Sequence, residues 1–82
     1  MNYRYDVQLF IENCRMNETA FRERMLQHVT GENPVVSGDS TRMKIRLFTN
    51  EPWELLRICA EAGAIYNIVI INRERTSQGL IG

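Results

Sequence analysis

Between Tyr3 and Glu12 apolar and polar side chains alternate without a break. Tyr3, Tyr5, Val7, Leu9 and Ile11 share one face, and Arg4, Asp6, Gln8, Phe10 and Glu12 share the other. Period two with aromatic and β-branched residues predicts a half-buried strand. The period then changes. Phe21, Met25 and Val29 recur every fourth residue with Leu26 alongside, which predicts a helix. Asn17 suits its N-cap, Gly31 its C-terminal stop, and Pro34 blocks any continuation. Glu18 and Arg22 are placed to pair across one turn.

A hairpin is expected next, turning at Gly38 and Asp39 because glycine permits the positive φ of such turns. Its incoming arm is weak, with only Val35 and Val36. The outgoing arm sets Met43, Ile45 and Leu47 against Arg42, Lys44, Arg46 and Phe48. A second helix starts near Asn50 or Glu51, with Pro52 in its first turn, and stops at Gly63. Leu55, Leu56, Cys59 and Ala62 face inward from it, and Glu54, Arg57 and Glu61 share a polar arc. Trp53 and Ile58 fall on opposite shoulders beside that arc. The final strand is apolar on both faces: Tyr66, Ile68 and Ile70 on one, Ile65, Val69 and Ile71 on the other.

Strand, helix, hairpin, helix, strand with short loops predicts an α+β ferredoxin-like βαββαβ plait. In it a four-stranded antiparallel sheet carries two helices on one face. The first strand and the outgoing hairpin arm lie at the centre, and the "VVS" arm and the last strand form the edges. Residues 1–75 are expected to form one compact domain, and 76–82 a flexible C-terminal tail, with Leu80 and Ile81 able to dock.

Eighty-two residues leave no room for a second core, and domains this small often gain stability by self-association. Ten basic and ten acidic residues cancel, so no overall field marks nucleic acid or a membrane as partner. The start lacks the basic-then-apolar pattern of a signal peptide, and no apolar run approaches the roughly 20 residues of a membrane span. A cytoplasmic protein without a membrane partner is the expectation. Cys14 and Cys59 lack metal-ligand or CxxC spacing and read as buried thiols. His28, near the end of the first helix, suits the negative end of the dipole. No serine or cysteine sits in a glycine elbow, and no glycine-rich loop could cradle a phosphate. The "SGDST" stretch is accounted for by turn chemistry. The chain is expected not to be an enzyme, and to need no metal or cofactor.

Arg4, Phe10, Arg42, Lys44, Arg46 and Phe48 together make a candidate nucleic-acid surface on the open sheet face, with rings for bases and cations for phosphates. Within it "LFIENC", Leu9 to Cys14, resembles the first-strand motif of RNA-recognition-motif domains, which implies a stacking role for Phe10. "RMKIRLFT" has Arg42, Lys44 and Arg46 where the third-strand motif of those domains has glycine and stacking aromatics. "EPWELLRICAEAGAIYNI" is similar to the helix-to-strand passage of ACT regulatory domains, which implies an amino-acid-sensing dimer. Pro52 and Trp53 stand where those domains place a glycine.

The reading favoured by the residues is a small interaction or regulatory protein, of a size common among phage and mobile-element proteins. It associates as a homodimer through its last strand and binds a protein partner. Trp53, Ile58, Ile65, Val69 and Ile71 are its candidate interface residues, because an apolar edge strand without charge or proline invites another chain.

Overall fold

The computed structural model describes residues 2–82. In chain order the elements are β1 (Tyr5–Glu12), α1 (Glu18–His28), β2 (Gly31–Gly38), β3 (Arg42–Thr49), α2 (Pro52–Ala62), β4 (Ala64–Asn72) and α3 (Arg73–Ser77). The strands form one antiparallel sheet in the order β2-β3-β1-β4. This is an α+β fold with β1 and β3 at its centre.

The alternation along β1 sets the layers. Val7, Leu9 and Ile11 lie opposite Leu47, Ile45 and Met43 of β3, and all six are buried. Phe21 and Met25 of α1 and Leu55, Ile58, Cys59 and Ala62 of α2 complete one apolar cluster against them. Both long helices therefore pack on the same face, and helix α1 begins at Asn17, whose Oδ1 accepts from the Ala20 N–H at 2.8 Å. Across the helix layer Arg24 of α1 donates to Glu61 of α2 at 2.9 Å, and Arg57 bridges Glu54 and Glu61.

Four local expectations are corrected. Gly31 does not stop α1: Val29 is already extended, and Gly31 opens β2. A Cβ there would strike the Phe48 carbonyl oxygen, so the close approach of β2 to β3 is what needs glycine. Second, β2 is eight residues long, not a two-valine arm. It contains Pro34 because it is an edge strand with a register shift between Glu32 and Val35, and Asn33 at φ 53° absorbs the irregularity. Third, the turn is wider than Gly38-Asp39. Asp39 Oδ1 accepts from the Thr41 and Arg42 N–H groups, and Gly38 pairs with Met43 at φ 123°. Fourth, the chain from Arg73 forms α3, with a turn through Leu80, so the expected boundary at residue 75 falls inside a helix.

The last strand departs most. Asn67 sits at φ 52°, in the left-handed region, and the β1–β4 register slips there: Phe10 faces Tyr66, but Gln8 faces Val69. One extra residue in β4 reverses the alternation beyond it. Ile65 and Ile70 therefore lie opposite Ile11 and Val7 on the helix side, whereas Tyr66, Val69 and Ile71 lie opposite Phe10, Gln8 and Asp6 on the open side. The expected grouping of Tyr66 with Ile70, and of Ile65 with Val69, holds only for an unbroken strand. Asparagine is the side chain besides glycine that most readily takes this conformation. Asn67→Ile is expected to lower unfolding free energy by about 1–2 kcal/mol in urea titrations, while Asn67→Gly stays within about 0.5 kcal/mol.

Candidate functional site

Two surfaces hold the residues of interest: the open face of the sheet and the outer margin of β4. On the open face, Asp6, Gln8, Phe10 and Glu12 pair with Phe48, Arg46, Lys44 and Arg42. The face organises itself into two closed clusters. In the first, Arg46 grips Asp6 in a two-bond fork, Nε to Oδ1 at 3.0 Å and Nη2 to Oδ2 at 2.7 Å. Asp6 is buried, and these hydrogen bonds raise the Arg46 pKa further against the opposing effect of desolvation. The same guanidinium lies 5.2 Å from the Phe48 ring centroid, and Arg73 covers that ring at 4.1 Å. In the second cluster, Phe10 stacks on Tyr66 at 5.5 Å between centroids, and Arg42 sits 4.4 Å from the Phe10 ring.

Of the six residues proposed for nucleic acid, five are therefore engaged within the chain. Arg4 pairs with Glu74 at 2.8 Å, Arg42 and Arg46 are committed as described, and both phenylalanine rings are covered. Lys44 is exposed and makes no ion pair among the described residues. Three partners escaped the sequence reading. Tyr66 and Arg73 come from distant segments, and Asp6 is buried only because a register fixed by the core brings Arg46 beside it.

The interface candidates divide. Trp53 stands 63% exposed at the start of α2. Ile58 is 0% exposed, so its placement on a helix shoulder is corrected: α2 is rolled onto the sheet such that Ile58 points into the core beside Leu55 and Cys59. Ile65 is half-buried against the core, and Ile71 is half-buried on the open face. Val69 is exposed. Together Ile68, Val69 and Ile70 are 43%, 47% and 39% exposed, three consecutive aliphatic side chains on a strand that has β1 on one side and no described strand on the other.

The two edges contrast. Along β2, Pro34 and the Asn33 bulge interrupt the ladder, and Arg22 donates to the Pro34 and Val36 carbonyls at 3.4 and 3.5 Å. Edges treated this way resist pairing. In β4 the bulge at Asn67 is the single interruption, and Ile68–Ile71 beyond it carries neither charge nor proline.

Reactive groups lie elsewhere and are subdued. Burial, with a smaller contribution from Cys14, pushes the Cys59 thiol up to about 12, so it stays protonated and unreactive at neutral pH. Among the described residues no three His, Cys, Asp or Glu side chains gather as a metal site, and no helix is long and apolar enough to cross a membrane.

Two tests follow from these charges. Arg46→Met strips a buried carboxylate of its partner and is expected to cost about 1–2 kcal/mol by denaturant titration, with Asp6→Asn in the same background recovering part of it. The hydrogen bond from Arg24, reinforced by the charge of Arg57, holds Glu61 below the ordinary glutamate range, against a smaller opposing effect of burial. A lowered carboxylate pKa contributes stability that is complete above the unfolded value and is lost as pH falls through the folded one. The urea midpoint is therefore expected to drop on acidification below the ordinary glutamate pKa, and Glu61→Gln to shrink that drop.

Comparison with curated proteins gives no match. Residues 2–79, which include all four strands and α3, match the family model for the FakA-like middle domain of fatty acid kinase. The chain belongs to the FakA-like middle-domain family.

Proposed function

We propose that this chain is a non-catalytic association module that pairs with a second copy of itself along β4 and serves a protein assembly of the fatty acid kinase type. The observation that carries the reading is the run Ile68, Val69 and Ile70, exposed on an unprotected edge. An antiparallel β4–β4 pairing across a twofold axis is self-complementary, since each copy offers the same aliphatic residues and unpaired ladder. It would extend the sheet by joining two four-stranded sheets and remove these side chains from water. The family is described by a kinase subunit, which supports a role beside other proteins in the cytoplasm. Trp53, large and exposed on the helix layer, is the residue we assign to contact with such a partner.

The strand order β2-β3-β1-β4, with α1 and α2 crossing one face, supports reading the fold as a ferredoxin-like plait. That architecture leaves one sheet face without helices, and here the face is occupied by the chain's own arginine–aromatic clusters. A nucleic acid would have to displace Arg46 from Asp6, and Arg42 and Arg73 from the rings, before it met free cations or open rings.

Sedimentation velocity at tens of micromolar tests the association. A dimer is expected, and Val69→Lys is expected to weaken it by at least about tenfold by placing a charge on each side of the new pairing. Trp53→Ala should leave the dimer intact. A parent chain that sediments as a monomer throughout this range overturns the proposal.

A further inference from the structure

The C-terminal segment does not continue away from the sheet. It turns back over the open face. Arg73 anchors the reversal: its N–H donates to the Arg4 carbonyl at 2.7 Å and its Nη1 to the Tyr3 carbonyl at 3.1 Å. Its guanidinium lies over Phe48. Asn72 caps α3 through its Oδ1, which accepts from the Glu74 and Arg75 N–H groups. Glu74 then pairs with Arg4 at 2.8 Å, and Arg75 Nε donates to the Ile81 carbonyl at 3.1 Å, which holds the end of the chain against its own short helix. The last residue arrives over β4. A Cβ on Gly82 would fall 2.6 Å from Ile71 Cγ2 and 3.2 Å from Thr76 Oγ1. Between segment and sheet lies a cleft of about 380 Å³ lined by Asp6, Ile71, Arg73, Thr76 and Ser77.

We infer that residues 73–82 form a clasp over one end of the open face, and that its opening uncovers Ile71 and Phe48 while the four-stranded core stays folded. The inference rests on how the segment is held. None of its residues joins the apolar core, and none of α3 is buried. Its one ion pair to the sheet, Arg4–Glu74, is more than half exposed on both sides. Exposed pairs of this kind contribute little, and segments with few buried apolar contacts open far more cheaply than the domain unfolds. Ile81 is 94% exposed even when the clasp is closed, so the closed state gains almost nothing from its largest terminal side chain. Arg73 is thus the latch.

Closed, the clasp shields the Ile71 end of β4 on the open face and leaves the edge itself accessible. It thereby favours edge pairing over the stacking of two open faces. This last consequence rests on the self-association proposed above, but opening of the clasp does not, and the two are measured separately.

The test uses the full chain with Ile71→Cys as a reporter, at a concentration where it sediments as a monomer. The two native thiols are buried. Alkylation of the introduced thiol is followed by mass spectrometry in the Arg73 background, in Arg73→Ala, and in Glu74→Gln. Loss of the cation–π contact and the side-chain hydrogen bond in Arg73→Ala is expected to speed labelling about five- to tenfold, with an unchanged urea midpoint for the core. Glu74→Gln should speed it by less than about twofold. Hydrogen exchange gives the same readout without a new thiol, the Arg73 to Ser77 amides exchanging faster in Arg73→Ala. Equal labelling and equal exchange in Arg73→Ala and its parent overturn the clasp. Faster labelling in a chain that never dimerises supports the clasp and rejects only its consequence for association.

Discussion

The pairing of β1 with β3 is the constraint from which the remaining structure follows. It runs unbroken from Tyr5 opposite Thr49 to Glu12 opposite Arg42. Because side chains alternate with period two, this single register decides which six aliphatic residues meet the helices and which polar residues are left outside. A slip by one position would drive Asp6, Arg46 and Lys44 into the core. The buried Thr49 fixes one end of the ladder. Its hydroxyl donates to the Thr30 carbonyl and accepts from the Glu51 N–H, so the entry to β2, the end of β3 and the start of α2 are tied at one atom.

A chain of this size has helices for only one side of its sheet. The other side must be made compatible with water by its own residues, and here it is done by pairing charge with charge and charge with ring. Arg46 neutralises Asp6 and lies near Phe48; Arg42 covers Phe10, which rests on Tyr66. Individually such contacts contribute about 0.5–1 kcal/mol at exposed sites. Together they convert what looks in one dimension like a basic, aromatic binding strip into a surface that is largely satisfied. What remains unsatisfied is β4, where three consecutive aliphatic side chains face water beside a bulge. That exposed edge is the feature on which the proposed pairing of two copies depends.

The helix layer, the two central strands and their inward faces were legible because they obey simple periods: four residues in α1, two in β1 and β3. The Asn17 cap and the Glu54–Arg57–Glu61 arc were legible for the same reason, being local. Ile58 was not. At the boundary between arc and apolar stripe, a small roll of α2 decides whether a side chain is covered, and only the packing of the sheet sets that roll. Asn67 was equally opaque, since an asparagine within an aliphatic run does not announce that it will take a left-handed conformation.

The amino-acid order alone thus determined the sequence of elements from β1 to β4, most of the core and the apolar character of the last strand, since each depends on neighbours within one or two turns. The tertiary structure decided the facing of Ile65 through Ile71, the burial of Asp6, and the closure of Arg73 over Phe48. Each of these joins residues more than twenty positions apart, or depends on a bulge whose effect exists only relative to the strand beside it. Short-range periodicity carries no information about such pairs; the register of the sheet supplies it.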